Sequence, residues 1–182
     1  MKKLIFLVLF VSVSMISYSQ YRGNLSVGLK GGYVYSSDYF RDFLYGASVD
    51  YHWTDALEVA FSGLMNPQVS FKDGNDKYEY KVYSANLDLR LYLLSMRTWG
   101  MGPALGGQYL YTLEKQSNGS FEKDVASLGF NIGWHTRFNI TDNVRLNAGW
   151  RYTNIKDKSN DTTHDIGHHF FYAGLTYAFE LF

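Results

Sequence analysis

The chain has 182 residues, no cysteine, two prolines and 17 glycines, and its 17 basic residues equal its 17 acidic ones. That length suits one domain, and without a basic excess there is no electrostatic footprint for nucleic acid. With no disulfide available, an exported fold of this size must be held by its hydrogen-bond ladder and packing alone.

The first element is a targeting segment. Lys2 and Lys3 form a basic start, Leu4 to Ile16 an apolar run, and Ser17-Tyr18-Ser19 a small-x-small cleavage site. The run is about 13 residues, short of the roughly 20 that a membrane-spanning helix needs. Residues 1–19 are therefore read as a cleaved signal peptide. Its loss leaves 163 of the 182 residues as one domain, 20–182, with 15 basic against 17 acidic side chains.

Eight segments then alternate apolar and polar residues, the period of a strand with two unlike faces. The first runs from Asn24 to Val34, with Leu25, Val27, Leu29 and Tyr33 on one face and Ser26, Gly28, Lys30 and Gly32 on the other. In the second, Phe43, Tyr45, Ala47, Val49, Tyr51 and Trp53 oppose Leu44, Gly46, Ser48, Asp50 and His52. The third, Ala56 to Leu64, sets Leu57, Val59 and Phe61 against Glu58, Ala60 and Ser62. The fourth is the most regular: Tyr83, Ala85, Leu87, Leu89, Leu91 and Leu93 oppose Ser84, Asn86, Asp88, Arg90 and Tyr92. The fifth, Trp99 to Leu113, contains Pro103, which brings no donor to a ladder. The sixth sets Leu128, Phe130, Ile132, Trp134 and Phe138 against Ser127, Asn131, His135 and Arg137. The seventh opposes Val144, Leu146, Ala148, Trp150 and Tyr152 to Arg145, Asn147, Gly149 and Arg151. The eighth opposes Phe171, Ala173, Leu175, Tyr177, Phe179 and Leu181 to Tyr172, Gly174, Thr176, Ala178 and Glu180.

The connections alternate in length. Thr54-Asp55, Ser95 to Thr98 and Asn139 to Asn143 are short turns. Tyr35 to Asp42, Asn66 to Tyr78, Glu114 to Asp124 and Ile155 to Gly167 are long and polar, and are read as loops on the opposite rim. The reading is an all-β, eight-stranded antiparallel up-and-down transmembrane barrel with short periplasmic turns and long outer loops. A soluble lipocalin-like barrel binding a small apolar ligand would show the same alternation with its faces reversed. Aromatic residues near the ends of the oily faces, and small residues on the polar faces, favour lipid outside and a narrow bore inside.

The polar faces then form a charged interior: Lys30, Arg90, Arg137, Arg145 and Arg151 with Asp50, Glu58, Asp88 and Glu180. Buried charges need partners, so these nine residues are read as a structural network plugging the bore. Strand order predicts contacts between Glu58 and Arg90 and between Arg145 and Glu180. The cluster His164, Asp165, His168 and His169 has no spacing that forces metal ligation, since adjacent strand residues point to opposite faces. Ser36, Ser37 and Asp38, with His164 and Asp165, are the residues that a lipid A modifying enzyme would draw on, and nothing in their spacing assembles them. No cofactor, metal site or catalytic residue is expected.

The leader, the strand and loop rhythm and the final segment Phe171 to Phe182 together resemble the small eight-stranded outer-membrane barrels of the OmpA/OmpX type, in the form common among Gram-negative bacteria of the Bacteroidetes kind. The resemblance implies outer-membrane lipid and lipopolysaccharide as surroundings, barrel-assembly machinery during insertion, and a monomer whose loops face any extracellular partner. It also implies a terminal aromatic in phase with the lipid-facing residues; Phe182 instead follows Glu180 and Ala178. The functional expectation is an integral outer-membrane protein with a structural or surface-contact role. A soluble ligand-binding barrel is the alternative, and a lipid A enzyme or narrow pore comes third.

Overall fold

The computed structural model describes residues 23–35, 41–66, 69–73, 76–116, 121–159 and 162–180. The expected signal peptide, Ser36, Ser37 and Asp38, and Phe182 lie outside them. The described residues form ten strands: β1 Asn24–Tyr35, β2 Arg41–His52, β3 Leu57–Met65, β4 Val69–Asp73, β5 Asp76–Leu91, β6 Leu94–Ser95, β7 Trp99–Gln116, β8 Phe121–Asn139, β9 Val144–Ser159 and β10 Thr162–Glu180. β4 continues the line of β3 along β5, and β6 continues β5 along β7, so the ten pieces make eight staves.

Each stave pairs antiparallel with its sequence neighbours, and β1 pairs with β10 from Asn24↔Glu180 to Tyr35↔His169. The sheet has closed on itself, which removes the edges that an open sheet would expose. Alternation does what the sequence predicts: Ser48, Asp50 and His52 are buried, whereas Phe43, Tyr45, Val49 and Tyr51 are exposed. Large apolar side chains outside and polar ones inside are the inverse of a soluble core.

The short turns are built by threonine and by tight pairing. Thr54 Oγ1 accepts from the Leu57 amide at 3.0 Å, and Thr141 Oγ1 accepts from the Val144 amide at 2.9 Å. Each hydroxyl satisfies an amide that the reversing chain leaves behind. Between β6 and β7, the Met96 amide donates to the Trp99 carbonyl at 2.7 Å.

The opposite rim differs from expectation. Most of the segments read as loops continue the ladder: β7 reaches Gln116, β8 begins at Phe121, β9 reaches Ser159 and β10 begins at Thr162. Past the bilayer both faces of a hairpin are wet, so pairing persists there without the alternation that reveals it. β8 and β10 are 19 residues each, against the 9–11 or so that cross a membrane. Above Gly129↔Ile155, β8 stays with β7, which β5 follows as far as Tyr78↔Gln116, and β9 stays with β10, so two arms rise separately.

Pro103 sits within β7, opposite Trp134 of β8. Its missing donor falls beside the break between β5 and β6, where the register with β7 moves by one residue between Arg90↔Ala104 and Leu94↔Met101. The proline therefore costs no ladder bond on that side. Gly102 lets the break close up, since a Cβ there would lie 1.8 Å from the Leu91 carbonyl oxygen. Gly46 faces inward where a Cβ would meet the Gly63 oxygen at 1.9 Å. Gly46→Ala is therefore expected to destabilise the barrel by about 1–3 kcal/mol, the usual range for overpacking. Urea unfolding of the refolded protein in phosphatidylcholine vesicles would show it; an unchanged midpoint would mean that the staves can part there freely.

Candidate functional site

The lumen is filled in layers. Nearest the short turns, Glu58 is the hub of the ion network. The register sets it opposite Arg90, whose Nη1 donates to Glu58 Oε1. Tyr92 donates its hydroxyl to Glu58 Oε2 at 3.0 Å, His52 Nδ1 lies 3.0 Å from the same oxygen, and Arg137 Nη1 lies 3.8 Å away. Arg90 Nη1 also faces Asp50 Oδ1 at 3.4 Å. Arg145 Nη1 donates to Ser26 Oγ at 3.0 Å and touches His52 Nε2. The Arg137 guanidinium lies 4.3 Å from the Tyr92 ring centroid, a cation–π contact. Glu58, Arg90, Arg137 and Arg145 are all 2% exposed or less, so one carboxylate serves several cations out of water.

A second layer is centred on Asp88. Its Oδ2 accepts from Arg151 Nη1 at 3.2 Å and its Oδ1 from Asn131 Nδ2 at 3.2 Å, while Thr153 donates to Asn131 Oδ1 at 2.7 Å. Lys30 lies between the two layers with its Nζ 4.3 Å from the Tyr172 ring centroid. Its neighbours across the sheet are Gly46 and Gly174, which leave room for the long side chain. Tyr172 Oη meets His135 Nδ1 at 3.0 Å.

Toward the arms the filling changes character. Gln108 Nε2 donates to Ser84 Oγ at 2.7 Å, and His168 Nε2 lies 3.1 Å from Gln108 Oε1. Beside this polar strip Val34, Leu44, Leu64, Val82 and Phe170 form an apolar cluster, all buried. Asn66 caps the layer at the end of β3, accepting from the Val82 amide at 2.8 Å and donating to Asp42 Oδ2 at 2.7 Å.

Eight of the nine sequence-derived interior residues, Lys30, Asp50, Glu58, Asp88, Arg90, Arg137, Arg145 and Arg151, are buried inside. The ninth, Glu180, ends β10 opposite Asn24, and its side chain lies outside the described residues. The register places Arg145 opposite Thr176, and its expected approach to Glu180 depends on that side chain. Arg145 also reaches across the lumen to Ser26 of β1 and His52 of β2. Sequence reasoning left His52, His135, Tyr92 and Tyr172 out of the network, although each is in phase with the charged positions. It also missed the apolar layer, whose residues occupy polar-phase positions near the arm ends of their strands.

The histidine cluster is divided. His168 is buried in the lumen, whereas His169 faces outward against Trp150 and Tyr152. The side chains of His164 and Asp165 lie outside the described residues. Among the described residues no group of three or more histidine, cysteine, aspartate or glutamate side chains converges as metal ligands.

A closed barrel with an oily exterior, aromatic ends and a polar filling defines an integral membrane barrel. Residues 4–179 match the outer membrane protein beta-barrel domain, and the chain belongs to that family. Its fold is similar to that of the N-terminal beta-barrel domain of OprF from Pseudomonas aeruginosa, with a TM-score of 0.62 at 17% identity, covering 88% of this chain and 100% of that one. OprG from the same organism aligns with a TM-score of 0.61 at 15% identity, over 89% of this chain and 98% of that one. Neisserial surface protein A aligns with a TM-score of 0.55 at 18% identity, over 86% and 96% respectively. No curated protein sequence matches. The protein is thus an outer-membrane β-barrel.

Proposed function

We propose that this barrel has a structural and surface-contact role, with its short turns facing the periplasm, its arms facing outward, and its lumen closed to solutes by the internal network. The observation that carries the reading is the Glu58 hub. One buried carboxylate is shared by Arg90, Arg137, His52 and Tyr92, and these buried side chains occupy the bore where ions would have to pass. Eight staves also enclose a bore that side chains just fill. The arms and their tips are the surface available to an extracellular partner, and the chain works as a monomer without a cofactor.

The test is a planar-bilayer recording of the refolded protein, with heat-dependent gel mobility as the check of folding. A heat-modifiable barrel with no steady conductance is the outcome this reading requires. Sustained ohmic current through folded wild-type protein would replace the plug with a pore.

A further inference from the structure

We propose that the lumen holds one small monovalent anion, chloride in the cell, seated on the ammonium of Lys30 beside the Tyr172 ring. This rests on the lumen being filled, since an open pore would let water screen Lys30 unaided. The nine interior residues carry five positive charges and four negative ones. A buried cation without a counter-charge is costly.

Lys30 is where the excess falls. It is 4% exposed, and among the described residues its Nζ has no hydrogen-bond partner. Its contact is the face of Tyr172, 4.3 Å to the ring centroid. The nearby carboxylates are engaged elsewhere: Glu58 with Arg90 and Arg137, Asp50 with Arg90, and Asp88 with Arg151. Those at the two ends of the lumen are too distant. Lys30 pairs in register with Gly46 and Gly174, whereas Asp42 lies four residues from Gly46 on β2 and Glu180 six from Gly174 on β10. At about 3.3 Å per strand residue these steps are roughly 13 and 20 Å, more than the side chains can bridge.

The wall around Lys30 is bare backbone. Its inward-facing neighbours are Gly28 and Gly32 on β1, Gly46 on β2 and Gly174 on β10, so no adjacent side chain competes for the amine. Tyr172 lies across Gly149, where a Cβ would stand 2.5 Å from its Oη, and meets His135 Nδ1 at 3.0 Å. With that hydroxyl donating, the neutral imidazole carries its proton on Nε2. Like Nε of Arg90 and Nε of Arg151, that nitrogen is buried without an acceptor among the described residues. The unbonded acceptors of this region are Asp50 Oδ1, which faces Arg90 at 3.4 Å, and the uncharged Ser62 Oγ and Asn86 Oδ1. An excess of donors around an unneutralised cation calls for an acceptor that brings charge, which water does not. A bore that side chains nearly fill suits a monatomic ion better than phosphate or sulfate, and a divalent anion would overshoot the single excess charge.

The experiment has two arms, both on the refolded barrel. In the first it is crystallised from sodium bromide and mapped at the bromine absorption edge, where an anomalous peak in contact with Lys30 Nζ is expected. In the second, urea unfolding in phosphatidylcholine vesicles is followed as chloride replaces gluconate at constant ionic strength. The unfolding constant of wild type should fall by up to about tenfold for each tenfold rise in chloride, the slope of one ion bound only by the folded state. Lys30→Met keeps an apolar stem over the glycines without the charge. It should lose both the peak and the slope, and in gluconate alone it should be at least as stable as wild type. No peak at Lys30 overturns the proposal, and so does a peak without the slope, which would be binding at crystal concentration only. Both readings are made on wild type whether or not the variant folds. An undiminished slope in Lys30→Met overturns the proposal as well. The filled lumen is judged by its own conductance recording, so a silent barrel that holds no anion fails on this site alone.

Discussion

Replacing Glu58 by alanine should cost the barrel about 3–5 kcal/mol, the range for removing one partner of a buried ion pair. The variant would leave Arg90, Arg137 and His52 buried around an empty centre. Tyr92 would lose its acceptor as well. Glu58→Gln keeps the oxygen that accepts from Arg90 or Tyr92 but removes the charge, so its loss should fall between wild type and alanine. Tryptophan fluorescence during urea unfolding in phosphatidylcholine vesicles measures all three. If the alanine variant matches wild type in midpoint, the hub is not what holds this end of the lumen. Additional conductance from Glu58→Ala would show that the network also blocks solutes.

Phe170→Ala should have an effect of similar size by another route. Phe170 is 1% exposed, stacks on Tyr172 at 5.5 Å, and lies 5.2 Å below the Arg151 guanidinium. Truncation removes buried apolar surface and leaves a cavity, a combination worth about 3–5 kcal/mol for phenylalanine in a packed interior. Unlike a core cavity in a soluble domain, this one opens between a polar strip and the arm rim. Phe170→Ala combined with Leu44→Ala should therefore admit water through the apolar layer. A narrow pore can be gated by dewetting at an apolar constriction, so channel events absent from wild type are expected in the double variant. A stable, silent double variant would place the barrier at the ion network alone.

The parts of this molecule within the bilayer were legible because lipid forces alternation on every strand. That one rule gave the eight staves, the inward placement of Lys30, Asp50 and Arg151, and the pairing of Glu58 with Arg90. It failed where the constraint lapses. Beyond the membrane both hairpin faces are hydrated, so the arm segments of β7 to β10 read as loops. Nor did it show the reach of Arg145 to Ser26 and His52, because strand order fixes which staves are adjacent but not how a long side chain crosses the lumen. The apolar layer was hidden for a related reason. Leu44 and Phe170 look like breaks in an alternating pattern until five staves bring such breaks to one height.

The seam between β1 and β10 has a kinetic meaning. Asn24 pairs with Glu180, residues 156 positions apart in the chain. β10, made after β1 to β9, thus completes the ladder of β1. Contacts this distant in sequence make for slow folding. Until they form, β1 and β10 each display a row of unsatisfied amides and carbonyls, the template on which strands from other chains aggregate. Closing the seam satisfies both rows at once, so it is the step that ends this exposure.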